Sequence, residues 1–207
     1  MVRVKICGIT NLEDAVLAVE SGADAIGFVF YPSSKRYVSL EKAREISRDL
    51  PPFVFRVGVF VNESFESVLN TASFVGLNAV QLHGDESPEF CEKLNEKIMV
   101  IKAVGISGRA DVERALEYGK FPVLLDTKVP GYGGSGRTFN WSLVLPYRDR
   151  FRYLILSGGL NPENVEEAIE MVKPFAVDVS SGVEISPGKK DHKLVEEFIK
   201  KAKGLCV

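Results

Sequence analysis

The chain has 207 residues, 45% of them hydrophobic and 26% charged, with a formal net charge of −2. That composition describes a folded globular protein, and the near-neutral charge argues against a general polyanion binder. There is no apolar run long enough to span a bilayer and no apolar leader; three scattered cysteines (Cys7, Cys91, Cys206) and two histidines (His83, His192) suggest neither a disulfide framework nor a His-based metal site, so a reducing cytoplasm is the expected setting.

In chain order, Val2, Val4 and Ile6 alternate with Arg3, Lys5 and Cys7, the period of a strand. Gly8 ends it, and Thr10 with Glu13 reads as a capping box opening a helix over Leu12–Glu20. Further strand candidates are Ala25–Phe30, Val54–Val61, Ala79–Leu82, Ile98–Lys102, Val123–Asp126, Tyr153–Leu156 and Phe175–Val179. Amphipathic stretches at Leu40–Asp49, Ser64–Phe74, Pro88–Glu96, Ala110–Tyr118, Trp141–Tyr147 and Pro162–Val172 separate them, and Leu194–Leu205 closes the chain. Ser39 precedes the second helix as a cap, and Asn161 before Pro162 marks the start of the seventh. Strands alternating with helices pair in parallel through crossovers. Eight such units in 207 residues predict an α/β fold, a single (β/α)8 TIM barrel domain over 1–207. An open doubly wound sheet is the alternative.

In a barrel, alternate residues of each strand face the helices and the others face the axis. Parity then sends Lys5, Cys7, Arg56, Gln81, Lys102, Asp126 and Asp178 inward. Lys5 and Arg56 read as paired structural charges, since buried charges need partners. Active sites in this fold lie at the C-terminal strand ends, where Cys7, Lys102, Asp126 and Asp178 are expected, with His83 just beyond strand four in "QLHG". Strands seven and eight end in "LSGGLNPEN" and "DVSSGVE", where glycine and serine suit a phosphate. Gly158, Gly159, Ser180, Ser181 and Gly182 are the expected phosphate ligands. A rival is "GYGGSGRT" (Gly131–Thr138), close to a P-loop with Arg137 in the lysine position. No long helix follows it, so a mobile cover over the site is the better reading.

These segments carry a likeness. In order, "KICGIT", "GFVFYPSSKRYVS", "VGVFVN", "QLHGDE", "LLDTKVPGYGGSGRTFNW", "LSGGLNPENV" and "DVSSGVEISPGKKD" make the chain resemble the phosphoribosylanthranilate isomerase family over essentially its whole length. Asn140, where the family often has aspartate, and "SKRYVS" for the commoner "SPRYVS" are small departures. The resemblance implies an Amadori rearrangement in tryptophan biosynthesis, with no redox cofactor and no metal. It implies Asp126 as general acid, Cys7 as general base and Arg36 as the grip on the anthranilate carboxylate. An aspartate serves as acid only when protonated, and a thiol serves as base only when ionised, for which the following helix would provide a positive end. His83 and Asp178 complete the candidate substrate-binding set, with His83 as a positioning group. Cys91 on a helix, Cys206 in the tail and His192 at the last helix have ordinary structural explanations. Two other functions stay open: a Schiff-base sugar-phosphate aldolase using Lys102, and a non-catalytic sugar-phosphate binding barrel in which Cys7 would be dispensable. The partner is a phosphorylated small molecule, not nucleic acid or membrane, and a homodimer is among the open oligomeric states.

Overall fold

In the computed structural model, which describes residues 1–128 and 138–204, eight parallel strands close into a barrel in sequential order. They are β1 (Arg3–Cys7), β2 (Ala25–Val29), β3 (Phe55–Phe60), β4 (Ala79–Leu82), β5 (Met99–Ile106), β6 (Val123–Thr127), β7 (Leu154–Leu156) and β8 (Ala176–Val179). Around them lie α1 (Leu12–Glu20), α2 (Leu40–Asp49), α3 (Phe65–Val75), α4 (Pro88–Asn95), α5 (Arg109–Ala115), α6 (Val165–Val172) and α7 (His192–Lys203). A small antiparallel hairpin, β9 (Glu184–Ser186) and β10 (Lys189–Lys190), sits between β8 and α7. The glycine-rich segment proposed as a cover, and all of the near-P-loop except Thr138, fall at 129–137, outside the described residues, as does Cys206. Among the described residues no helix is long and apolar enough to cross a membrane.

The helix between β6 and β7 does not form as expected. Asn140 caps a short 3-10 turn over Trp141–Leu143, and a second runs over Leu145–Arg150. Pro146 lacks the N–H that an α-helical turn would need there. Ser39 caps α2 as expected, accepting from the Lys42 amide. The other two expected caps are displaced. Asn11, not Thr10, caps α1, its side chain accepting from the Asp14 amide. Asn161 accepts from the Glu163 and Asn164 amides, forming a turn that precedes α6 rather than its cap.

Most of the apolar core lies between barrel and helices, with Val4, Ile6, Ile26, Phe28, Leu82, Val104 and Leu125 buried on the outer face of the sheet. A second cluster fills the barrel itself: Val57, Ala79, Ile101, Ala103, Leu124, Ile155 and Ala176. This interior cluster sets the true parity of each strand, and it corrects two expectations. Arg56 alternates with inward Val57 and therefore points outward. Its guanidinium donates to the carbonyls of Ser47, Leu50 and Pro51 at the end of α2, and of Val54. A cation there satisfies helix-end carbonyls and complements the dipole. Lys102 lies between inward Ile101 and Ala103, so it too points outward. The strand that carries it continues to Ile106, so Lys102 is mid-strand and not at its end. Strands of a parallel barrel are apolar on both faces, which makes parity ambiguous from pattern alone.

Candidate active site

At the C-terminal ends of the strands a cavity of about 320 Å³ opens. Cys7, Arg36, His83, Asp126, Gly158, Gly159, Asp178, Ser180 and Ser181 line it. Of the residues expected at the site, Gly182 and Lys102 do not line it. Gly182 packs the loop after β8 against the loop after β7, so closely that a β-carbon would lie 1.9 Å from the Leu160 carbonyl oxygen. Lys102 Nζ donates to the carbonyls of Leu82, Gly84 and Ala103 and pairs with buried Glu86 at 3.0 Å.

Asp126, buried near the end of β6, is held from two sides. Its Oδ1 accepts from the Thr127 amide at 2.7 Å, and its Oδ2 lies 3.4 Å from His83 Nε2. The opposite ring nitrogen, Nδ1, is 3.3 Å from Gln81 Nε2. Gln81 Oε1 accepts from Lys5 Nζ at 3.0 Å, which fixes the amide orientation and leaves its nitrogen to donate. The network therefore assigns His83 the tautomer with its proton on Nε2, facing Asp126. Gly158, at φ 86°, lets the β7 loop turn tightly over this carboxylate; a β-carbon there would meet the Thr127 amide at 2.5 Å.

Cys7 ends β1 on the same cavity. Burial pushes its thiol up from the ordinary range; Lys5 pulls it down, Asp178 adds to the rise, and Lys190 also pulls it down. The helix end expected to assist is remote in the chain, since α1 starts only at Leu12. Thr10 instead donates to the Gly188 carbonyl, anchoring the β9–β10 hairpin. Asp178 is fully engaged: Oδ1 pairs with Lys5 Nζ at 2.7 Å and Oδ2 accepts from Ser157 Oγ at 3.1 Å.

The Arg36 guanidinium reaches the rim from the loop after β2. Glu184 takes its Nε and Nη2 in a fork, at 2.7 Å for the closest contact. Glu184 also binds Lys190, whose Nζ is fully buried and donates to the carbonyls of Cys7 (2.6 Å) and Ser180 (3.2 Å). One buried carboxylate thus ties Arg36 to the backbone that carries Cys7. Ser180 Oγ is buried and, among the described residues, has no hydrogen-bond partner. A hydroxyl left in that state points to a ligand that would complete it.

Sequence reading missed Glu184, Lys190, Ser157 and an apolar wall of Val29, Tyr31, Val59 and Val61. The wall follows from extending β2 and β3 parity upward. The hairpin residues carry no local signal, because their role depends on partners far away in the chain. His192, half-buried at the start of α7, places its Nε2 3.0 Å from buried Asp14 of α1. Cys91 is fully buried on α4, and burial raises its thiol to about 11.

Comparison with known proteins identifies the family. The family described as N-(5'-phosphoribosyl)anthranilate (PRA) isomerase matches residues 4–201. The N-(5'-phosphoribosyl)anthranilate isomerase of Thermotoga neapolitana is 84% identical over 99% of this chain and 100% of its own. A crystal structure of phosphoribosyl anthranilate isomerase from Thermotoga maritima is 73% identical, with a TM-score of 0.96, covering 99% of this chain and 100% of that one. Another, of a phosphoribosyl anthranilate isomerase in complex with reduced 1-(o-carboxyphenylamino)-1-deoxyribulose 5-phosphate, is 69% identical with a TM-score of 0.93, covering 99% and 100%. The chain belongs to the N-(5'-phosphoribosyl)anthranilate isomerase family.

Proposed function

We propose that Cys7 and Asp126 carry the family's reaction, the Amadori rearrangement of N-(5'-phosphoribosyl)anthranilate to 1-(2-carboxyphenylamino)-1-deoxyribulose 5-phosphate in tryptophan biosynthesis. Protonated Asp126 gives its proton to the furanose ring oxygen. The C1–O bond breaks as the anthranilate nitrogen lone pair forms a C1=N iminium. The Cys7 thiolate removes the C2 proton, and the C2–H electrons form the C1=C2 bond of an enolamine while neutralising the nitrogen. Loss of the 2-hydroxyl proton and protonation at C1 give the ketone. C1 is reduced, C2 is oxidised, and the net change is an isomerisation.

The phosphate is assigned to Gly158, Gly159, Ser180 and Ser181, with Gly182 and Asp178 shaping that end of the site. Ser180's buried, unpartnered hydroxyl supports this assignment. The aromatic ring is assigned to the wall of Val29, Tyr31, Val59 and Val61, and its carboxylate to Arg36, whose planar donors suit it. His83 steadies Asp126. The observation that carries the reading is that the thiol and the carboxyl line one cavity with that unpartnered hydroxyl on it. The aldolase alternative loses support, since Lys102 is turned away and occupied by Glu86 and three carbonyls.

Cys7→Ala and Asp126→Asn are each expected to lower turnover about 10²–10⁴-fold, followed by anthranilate fluorescence. The reduced product analogue should still bind both variants. Unchanged turnover in either one removes that residue from the mechanism.

Cys7 and Cys91 are both free thiols, in keeping with work in the cytoplasm. A homodimer is the proposed assembly. A structure 67% identical to this chain, with a TM-score of 0.92, is described as monomers generated from the dimeric phosphoribosylanthranilate isomerase of Thermotoga maritima. In this chain Phe53 is 98% exposed just before β3, and Phe55, Met99, Tyr153 and Phe175 are exposed at or next to the N-terminal ends of β3, β5, β7 and β8, the end opposite the cavity, with Tyr153 and Phe175 in ring contact. Such a patch on a monomer marks an interface. Phe53→Asp should shift sedimentation toward the monomer with little loss of kcat; an unchanged sedimentation coefficient would locate the interface elsewhere or reject the dimer.

A further inference from the structure

Cys7 must ionise to act as a base, yet it is buried, 7% exposed, and α1 begins only at Leu12. Directly before it on the same face of β1 stands Lys5, 5% exposed, beneath the cavity rather than in it. A β-carbon at Gly27, on the neighbouring strand, would lie 2.7 Å from Cys7 Sγ and 3.1 Å from Lys5 Cε, so the two side chains crowd one space. Two of the three ammonium protons go to Asp178 Oδ1 and Gln81 Oε1, at 2.7 and 3.0 Å. We propose that Lys5 is the positioning residue for Cys7: its ammonium, anchored by Asp178 and Gln81 under the thiol, provides the positive charge against which the thiolate forms. This rests on the reading of Cys7 as the base.

Stability alone gives a weak reason for this lysine. The remaining inward residues around it are apolar or small, and replacing a buried ion pair by packed apolar side chains is often neutral or stabilising. The other nearby ammonium is differently employed. Lys190 Nζ binds the carbonyls of Cys7 and Ser180 and the Glu184 carboxylate, so its charge is largely answered there. The charged and titratable groups around Cys7 are Lys5 on its own strand, Asp178 on β8 and Lys190 on β10. Arg36 packs its side chain against Gly8, the next residue, and pairs with Glu184, while His83 and Asp126 line the same cavity. Burial works against a charged Lys5, but Asp178 and Cys7 outweigh it and push its pKa up, so it remains an ammonium.

The two members of the ion pair act on Cys7 with opposite sign: Lys5 favours the thiolate and Asp178 opposes it. That gives a test a structural role cannot imitate. The probe is the pH dependence of iodoacetamide alkylation of Cys7 in the free enzyme, with Cys7→Ala subtracting the other thiols. Lys5→Met should raise the alkylation midpoint by about 1–3 pH units, the range for a close opposite charge, and Asp178→Asn should lower it. Lys5→Arg should stay near wild type. Loss of the pair as scaffolding would shift both variants the same way, and that result, or an unmoved midpoint in Lys5→Met, overturns the proposal. If Lys5→Met does not fold, Asp178→Asn alone decides: a raised or unchanged midpoint rejects the idea. Turnover of Cys7→Ala separates the two levels, since full activity there defeats the base itself, whereas loss of activity there with a flat Lys5→Met response defeats only Lys5.

Discussion

The lower and upper halves of the barrel interior are built from the same strands, and along β4, β6, β7 and β8 they differ by a step of two residues. Ala79 gives way to Gln81, Leu124 to Asp126, Ile155 to Ser157 and Ala176 to Asp178. The lower member of each pair joins the apolar plug, and the upper one faces the cavity. A period of two keeps both on the inward face, so moving up one step changes the layer without changing the face. Within the barrel, apolar burial is therefore concentrated below, and above it Gln81, Asp126, Ser157 and Asp178 each meet a polar partner. β2 and β3 stay apolar into the upper layer, where Val29 and Val59 line the cavity, and β1 departs the other way, because Lys5 is already polar in the layer beneath Cys7.

Three substitutions sharpen that contrast. Leu124→Ala in the plug should cost about 2–5 kcal/mol, read from the urea midpoint, with kcat nearly unchanged. A large drop in kcat at intact stability would mean the halves are not separable. Gly182→Ala should act in the upper half, because its β-carbon collides with the Leu160 carbonyl and parts the two loops. The KM for the phosphorylated substrate should rise about tenfold, a cost of about 1.4 kcal/mol, with a smaller change in kcat. An unaltered KM would separate these loops from the phosphate. The smallest effect is expected at Glu184. Burial opposes its ionisation, but Arg36 and Lys190 outweigh that and hold its carboxyl below the ordinary glutamate range. The stability it lends is complete above that range and is lost as pH falls through the lower folded value. Glu184→Gln should therefore flatten the acid limb of the stability–pH curve, and an unchanged limb would assign acid sensitivity to other carboxylates.

The alternation of strands and helices was legible because the barrel repeats it along the whole chain, and Cys7, Asp126 and Asp178 could be placed from parity and strand ends. Arg56 and Lys102 could not. Both occupy outward positions where an apolar residue is expected, and each satisfies its charge with carbonyls or a partner that the linear pattern does not reveal. The Glu184–Lys190 tie was equally hidden, since it joins a hairpin beyond β8 to the loop after β2 and the end of β1. Val29, Val59 and Val61 of the apolar wall lay within the predicted strands and Tyr31 one residue beyond, but none gave a polar signal to mark it.

A crystal structure of this chain with the reduced product analogue would test the mechanism most directly. The phosphate should rest against Gly158, Gly159, Ser180 and Ser181, with Cys7 Sγ within proton-transfer reach of the sugar C2 and Asp126 on the side of the former ring oxygen. A phosphate seated elsewhere, or a thiol turned away from C2, would contradict the assignment of base and acid.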